Sequence, residues 1–245
     1  MKIICSDFDG TLNYGGITPE KIEAVKKWQR AGNLFAVVSG RQKEFFSELT
    51  EKNIPVDYFL GCNGAVITDG NYNTVSDVRC EENIGNELAE FLFSLSCPFV
   101  FFCGDEFLRI RNVDFPDEAG VDYSPCMKLH SFNQISTALP TFEEAAFVTG
   151  KINERFSRFL NPLQNGVCID IVPAGIDKAK GIYLLLEKIN GKKEDVIAVG
   201  DNINDEAMIR EFCSYAMANG VESIKSIADS ITSGIEELIE KEIGL

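Results

Sequence analysis

Histidine is almost missing from this chain of 245 residues, which has one, His130. A catalytic triad built on Ser, His and Asp therefore has little to work with, since that one His lies away from every acidic motif. Paired thiols are missing too. The eight cysteines stand singly at 5, 62, 80, 97, 103, 126, 168 and 213, with no CxxC spacing to suggest zinc. Several sit in apolar runs, as in Phe101-Phe102-Cys103 and Val167-Cys168-Ile169. They read as buried, reduced thiols of a cytoplasmic protein. Basic residues are scarce: 23 Lys and Arg face 38 Asp and Glu, for a net charge of −15. Nothing there would neutralise a nucleic acid or an anionic membrane surface. No apolar run approaches the ~18 residues of a membrane span. The opening Met1-Lys2-Ile3-Ile4-Cys5-Ser6-Asp7 is too short in its apolar part for a signal peptide. Internal repeats and low-complexity tracts are also lacking.

What remains is an ordinary globular composition, 45% hydrophobic and 25% charged, with its acid in particular places. The first is Ser6-Asp7-Phe8-Asp9-Gly10-Thr11-Leu12, directly after the apolar Ile3-Ile4-Cys5. Alternate residues of an extended segment share a face. Asp7 and Asp9 thus share one side of a strand end, and Gly10 turns the chain. Two carboxylates so placed are costly unless a cation joins them. An Asp/Gly turn is the plainer reading of the stretch taken by itself.

The next segments alternate. Thr18-Pro19-Glu20 starts a helix, with Thr as cap and Pro in the first turn, and Gly32 ends it. Leu34–Val38 is a strand buried on both faces that stops at Ser39-Gly40-Arg41. A helix over about Lys43 to Lys52 and a strand Tyr58–Leu60 follow, ending at Cys62-Asn63-Gly64-Ala65. This rhythm predicts a parallel sheet with right-handed crossovers. Ligands of such sheets sit beyond the carboxyl ends of the strands, where Asp7, Ser39 and Asn63 stand.

A hairpin is expected at Val66–Ser76 around Asp69-Gly70-Asn71, after which the rhythm loosens. The expectation is a helix over 82–95, strands at Phe99–Cys103 and Phe107–Arg111, a helix over 132–138, a strand over 145–149 and a helix over 152–160. That mixture predicts a small α+β domain spanning 79–167, inserted into a core made of 1–78 and 168–245. The first rhythm returns at Val167–Val172, then a helix Lys178–Ile189, a strand Val196–Val199, a strand Tyr215–Met217 and a final helix near Ile235–Ile243. Arg109 and Arg111 share one face of a predicted strand. They are candidates for an anionic or sugar leaving group, or simply an exposed face.

A second acidic cluster, Gly200-Asp201-Asn202-Ile203-Asn204-Asp205, ends the strand at 196–199. Oxygen ligands with no His or Cys beside them favour Mg²⁺. Phosphoryl transfer to an Asp fits this set: one carboxylate attacks, and a second passes a proton to and from the leaving oxygen. Ser39 and Lys178 are the obvious donors to phosphate oxygens, with backbone N–H groups at Gly10 and Gly40.

These residues carry a resemblance. Asp7-Phe8-Asp9-Gly10-Thr11, Ser39-Gly40-Arg41, Lys178 and Gly200–Asp205 resemble, in order and spacing, motifs I to IV of the haloacid dehalogenase-like (HAD) superfamily. The Thr18-Pro19-Glu20 start, Cys62-Asn63-Gly64-Ala65 and Met217-Ala218-Asn219 resemble its Cof-type phosphatases, which carry a C2-type (C2B) cap between motifs II and III. The resemblance implies a HAD-like Rossmannoid α/β core with an inserted α+β cap that sets specificity. It implies a Mg²⁺-dependent phosphatase of small phosphorylated metabolites, sugar phosphates among them, with Asp7 as nucleophile and Asp9 as general acid/base. Asp7, the Asp9 backbone carbonyl and Asp201 would hold Mg²⁺, supported by Asp205. Ser39, Gly40, Lys178 and Asn204 would contact phosphate, and Asn63 would line the mouth. The family's usual Gly after the motif III Lys is replaced by Ala179, which leaves Lys180 as a rival to Lys178. A phosphomutase of the same fold and a non-catalytic phosphate sensor are the alternatives, and monomer or homodimer stays open.

Overall fold

A computed structural model describes residues 1–51 and 53–244, so the expected helix end at Lys52 lies outside the described residues. The chain forms two compact units, one of Met1–Ser76 with Lys178–Leu245 and one of Asp77–Asp177.

The first unit is built on an eight-stranded sheet. Its strands are β1 (Ile3–Ser6), β2 (Leu34–Val38), β3 (Tyr58–Gly61), β4 (Val66–Asp69) and β5 (Thr74–Asp77), then β12 (Val196–Gly200), β13 (Cys213–Met217) and β14 (Ser230–Thr232). Their order is β14-β13-β12-β1-β2-β3-β4-β5. The six from β14 to β3 run parallel, and β4 pairs antiparallel with β3. The alternation of strand side chains divides the core in two. Ile4, Phe35, Val37, Ile197 and Val199 pack on one face, with Val25 and Trp28 of helix α1 (Pro19–Arg30) and Leu238 and Ile239 of α8 (Ile235–Gly244). Ile3, Cys5, Ala36, Val38 and Ala198 pack on the other. They meet Ile182 and Leu185 of α5 (Lys178–Ile189) and Met208 and Ile209 of α6 (Glu206–Glu211). Strands covered on both faces explain the unbroken apolar runs of β1, β2 and β12. The parallel strands aim their carboxyl ends at one edge, so Asp7, Ser39 and Asp201 emerge together.

The second unit has a six-stranded sheet of order β10-β11-β9-β6-β7-β8: β6 (Phe99–Cys103), β7 (Phe107–Arg111), β8 (Val121–Asp122), β9 (Gln134–Ala138), β10 (Leu160–Asn165) and β11 (Cys168–Pro173). Helices α3 (Glu82–Ser94) and α4 (Phe142–Phe156) cover one face, around Leu88, Leu92, Val100, Phe102, Ile135, Val148, Ile152 and Ile171.

Four expectations are corrected here. Residues 134–138 form a strand, not a helix: Ile135 and Thr137 are buried while Ser136 and Ala138 are half-buried, a period of two. Residues 145–149 lie inside helix α4, where Ala145, Val148, Ile152 and Phe156 recur at helical spacing. Helix 152–160 ends at Phe156, and β10 begins at Leu160. The run at 167–172 does not return to the first sheet. As β11 it lies between β10 and β9, pairing antiparallel with both, which moves the end of the inserted unit from 167 to 177. An apolar run reads alike in either sheet. Alternation within β11 also exposes Cys168 beside buried Ile169.

Candidate active site

The chain leaves β1 at Ser6 and makes a wide turn over Phe8–Leu12. Leu12 N–H donates to the Asp7 carbonyl at 3.2 Å and Asn13 N–H to that of Phe8 at 2.8 Å. Gly10 takes φ +85°, and a Cβ there would drive into the Asp201 carboxylate. Glycine is thus required twice, by conformation and by the close approach. Phe8 anchors the turn, buried edge-on against Phe45 with ring centroids 4.8 Å apart. The two flanking aspartates therefore differ. Asp7 is 5% exposed, whereas the Asp9 side chain is 54% exposed and lies against Arg41.

Lys178, first residue of α5, is fully buried and sends Nζ to Asp7 Oδ1 at 2.6 Å and to Asp205 Oδ1 at 2.5 Å. The other Asp205 oxygen accepts from the backbone N–H of Asp201 at 2.9 Å and of Asn202 at 3.0 Å. Asp205 therefore fixes both the lysine and the Asp201 loop. Asp201 accepts from Thr11 Oγ1 at 2.8 Å, and Asn219 Nδ2 donates to the Gly10 carbonyl at 2.9 Å. Thr11 and Asn219 thus stitch the end of β1 to the ends of β12 and β13.

The electrostatics leave a gap. Asp7, Asp201 and Asp205 each offer a ligand oxygen within 4.8 Å of one another. Among the described residues, three carboxylates against one ammonium leave two negative charges without a counter-charge, which is the charge of one divalent cation. Burial and the neighbouring Asp205 push the Asp7 carboxyl well above the usual range, against the pull of Lys178. Burial likewise raises Asp201. Burial alone would depress Lys178, but Asp205 and Asp7 outweigh it and hold the ammonium charged. An all-oxygen set with a charge deficit fits Mg²⁺.

Ser39 is buried at the end of β2, and its hydroxyl accepts from Arg41 N–H at 3.2 Å. A hydroxyl that accepts still has its proton to give. Asn63 N–H donates to the Ser39 carbonyl at 2.9 Å and Cys62 N–H to that of Arg41 at 2.8 Å. Asn63 is fully buried in the left-handed region, φ +53°, which Asn tolerates better than most. Gly40 and Asn204 are half-buried, and Lys180 is exposed. Of the two rival lysines, Lys178 is the one beside Asp7.

Arg109 and Arg111 belong to the inserted unit. Arg109 Nη2 meets Glu118 at 2.6 Å and its guanidinium lies 4.2 Å over Phe99. Arg111 is paired with Asp122 and donates to the Pro116 carbonyl at 2.6 Å. Both tie down the connection between β7 and β8, so their charge is already used. His130 is exposed.

Sequence reasoning named neither Thr11 nor Asn219 as a site residue, nor the Arg41 contact with Asp9. For Arg41 its place beside Ser39-Gly40 was a usable hint. Asn219 stood at a strand end and in the Met217-Ala218-Asn219 stretch of the resemblance, but neither signal pointed to a bond across 209 residues of chain.

A family profile described as haloacid dehalogenase-like hydrolase matches residues 4–237. The chain is 26% identical over 249 residues to Phosphoglycolate phosphatase 2 of Saccharolobus solfataricus, covering 98% of this chain and 91% of that one. It is 23% identical over 274 residues to the 5-amino-6-(5-phospho-D-ribitylamino)uracil phosphatase YwtE of Bacillus subtilis, covering 97% and 94%. The solved structure of a haloacid dehalogenase-like hydrolase from B. subtilis superposes with a TM-score of 0.82 at 21% identity, over 98% of this chain and 99% of that one. The profile spans both acidic strand ends and the buried lysine between them, and the chain belongs to the haloacid dehalogenase-like hydrolases of the Cof type.

Proposed function

We propose that this protein is a Mg²⁺-dependent phosphatase that hydrolyses phosphomonoesters of small metabolites, sugar phosphates among them, through a phosphoaspartate on Asp7. The observation that carries the reading is the buried Asp7 carboxylate. One oxygen is held by Lys178, and the acidic set around it lacks two positive charges. A carboxylate fixed in this way is a nucleophile with its attacking direction set.

Asp7, the Asp9 carbonyl and Asp201 would hold Mg²⁺, with Asp205 behind them. When bound, the ion supplies charge neutralisation for the phosphoryl oxygens. The chain does the rest. Ser39 donates to a phosphoryl oxygen, as do Lys178 Nζ, Asn204 and the Gly40 N–H. Asp7 attacks phosphorus, and the ester bond to the leaving oxygen breaks. Asp9 gives that oxygen a proton, then takes one from the water that attacks the phosphoaspartate. Release of inorganic phosphate frees Asp7. The inserted α+β unit would act as the C2-type cap that admits one leaving group and keeps water out. The two phosphatase relatives, named for phosphoglycolate and for a phosphoribityl compound, support a small phosphorylated metabolite as partner.

The test is phosphate release from a panel of metabolite phosphates, with Mg²⁺ or with EDTA, beside Asp7→Asn. Turnover should need both Mg²⁺ and Asp7. Equal rates for wild type and Asp7→Asn would end the reading.

A further inference from the structure

The loop from Leu12 to Gly16 follows the Asp7–Thr11 turn and leads towards α1. Leu12 is buried in the core, but little of the loop beyond it is packed. Tyr14, Gly15 and Gly16 are exposed, and a Cβ at Gly15 or Gly16 would meet nothing within 4 Å. Besides its own backbone hydrogen bonds, one side chain grips the loop. Lys21 is 6% exposed and turns its ammonium back into the loop. Nζ donates to the carbonyl of Leu12 at 3.1 Å, to that of Gly16 at 2.9 Å, and to that of Tyr14. All three protons of the ammonium are used.

Lysine is a poor choice here for the helix. It is the third residue of α1, and Thr18 caps its N–H at 3.3 Å. A cation in the first turn opposes the helix dipole, and burying an ammonium is costly unless it is fully bonded. Burial pulls its pKa below the usual lysine value, against an upward pull from Glu236. The loop carbonyls are what offset both costs.

The gripped loop is continuous with the reaction centre. Leu12 and Asn13 N–H close the turn onto Asp7 and Phe8, Tyr14 N–H donates to Thr11 at 3.2 Å, and Thr11 Oγ1 reaches Asp201 at 2.8 Å. We infer that Lys21 is a positioning residue. By gathering three loop carbonyls onto one ammonium, it holds the Asp7–Thr11 turn in register with Asp201. The inference rests on the phosphatase reading for its effect on rate, but not for its effect on the loop.

The experiment uses the full chain with p-nitrophenyl phosphate and Mg²⁺, and three variants. Lys21→Met removes the donors and keeps the stem. Its kcat should fall about 10- to 100-fold with KM within about threefold, as for a misplaced group that acts in the transition state. Amide exchange over Asn13–Gly16 should quicken by about tenfold or more. Lys21→Ala leaves a cavity that n-propylammonium completes atom for atom. Added n-propylammonium should restore kcat at least about fivefold and slow the loop exchange again, while tetramethylammonium, which has no N–H, should do neither. Lys21→Arg should retain part of the rate, since it can still donate. Lys21→Met with kcat and exchange within about twofold of wild type would overturn the inference. So would variants that stay unfolded even in n-propylammonium, which would make Lys21 a folding element. If wild type released no phosphate from any ester, the functional reading would fail, and the exchange arm alone would decide the role of Lys21.

Discussion

Arg41 holds Asp9 with both arms of its guanidinium, Nε to Oδ2 at 2.8 Å and Nη2 to Oδ1 at 2.8 Å. The guanidinium itself lies 4.2 Å over the Phe45 ring, and that ring packs against Phe8, the residue between Asp7 and Asp9. A flat cation stacked on an aromatic face and forked onto a carboxylate is a geometry that lysine cannot copy. The contact fixes the direction of the carboxylate proposed to move the proton. It also occupies both oxygens, so one must be released when a leaving group arrives.

Arg41→Ala should therefore lower kcat by ~10- to 100-fold, the range of a mis-set general acid, with phosphate affinity little changed. Arg41→Lys should fall between, because charge survives and the fork does not. Steady-state rates on an activated ester and on an alkyl ester separate the causes. An activated leaving group needs little protonation, so the deficit should shrink on it. An equal deficit on both esters would remove Arg41 from the proton-transfer step.

Gly10→Ala tests the approach of the first turn to Asp201. The substitution forces a side chain into φ +85° and into the space of a carboxylate. Strain of ~1–3 kcal/mol is expected, seen as a lower midpoint in thermal unfolding. Because the new methyl displaces Asp201, the midpoint should also lose the rise that Mg²⁺ gives wild type. An unchanged Mg²⁺ response would place the ion away from Asp201.

The parts of the fold that could be read from the sequence were those with one physical solution. Leu34–Val38 and Val196–Gly200 are apolar throughout because helices cover both of their faces. Ser39 at the end of the first and Asp201 at the end of the second stand in the candidate site. The inserted unit was read less well, because its sheet is covered by helices on one face and its strands carry mixed side chains. Gln134–Ala138 buries Gln134, Ile135 and Thr137 without being apolar throughout. Ala145–Thr149 looked like a strand although Thr141 and Glu144, which cap each other's backbone N–H, mark a helix start just before it. In the site, single residue types at strand ends were legible, but their partners were not. Arg41 on Asp9 and Asn219 on Gly10 are contacts across 32 and 209 residues, and no local pattern encodes them.

Lys178→Met removes the cation that, among the described residues, is buried with Asp7 and Asp205. Breaking a buried pair in this way costs ~3–5 kcal/mol when the remaining charge stays in place. Here it leaves two. The variant should lose turnover and unfold at lower denaturant at pH 8. Part of the stability should return at acidic pH, because protonation of Asp7, whose carboxyl burial already pushes upward, relieves the charge. Chemical denaturation at the two pH values measures this, and equal losses at both would show that packing, not charge, is the function of Lys178.

The last prediction concerns the metal-free protein and pH. The folded-state pKa values of Asp7 and Asp201 are raised by burial, so the folded protein binds these protons more readily than the unfolded chain does. Stability then falls as pH rises, because the folded state must surrender protons that it holds more tightly. The penalty is complete above the folded pKa and relieved as pH drops through it. In EDTA, the unfolding midpoint should accordingly rise as the pH is lowered from about 8 towards 5. The contribution of other groups is removed by comparing Asp201→Asn, whose slope should be shallower than wild type. A cation bound between the carboxylates favours their charged form, which reverses the preference. Saturating Mg²⁺ should thus flatten the wild-type slope, and at ~100 times its Kd should stabilise by ~2.7 kcal/mol at pH 8. The same Mg²⁺ should do little for Asp201→Asn. Parallel slopes for wild type and variant, with and without Mg²⁺, would mean that the three carboxylates do not share an ion.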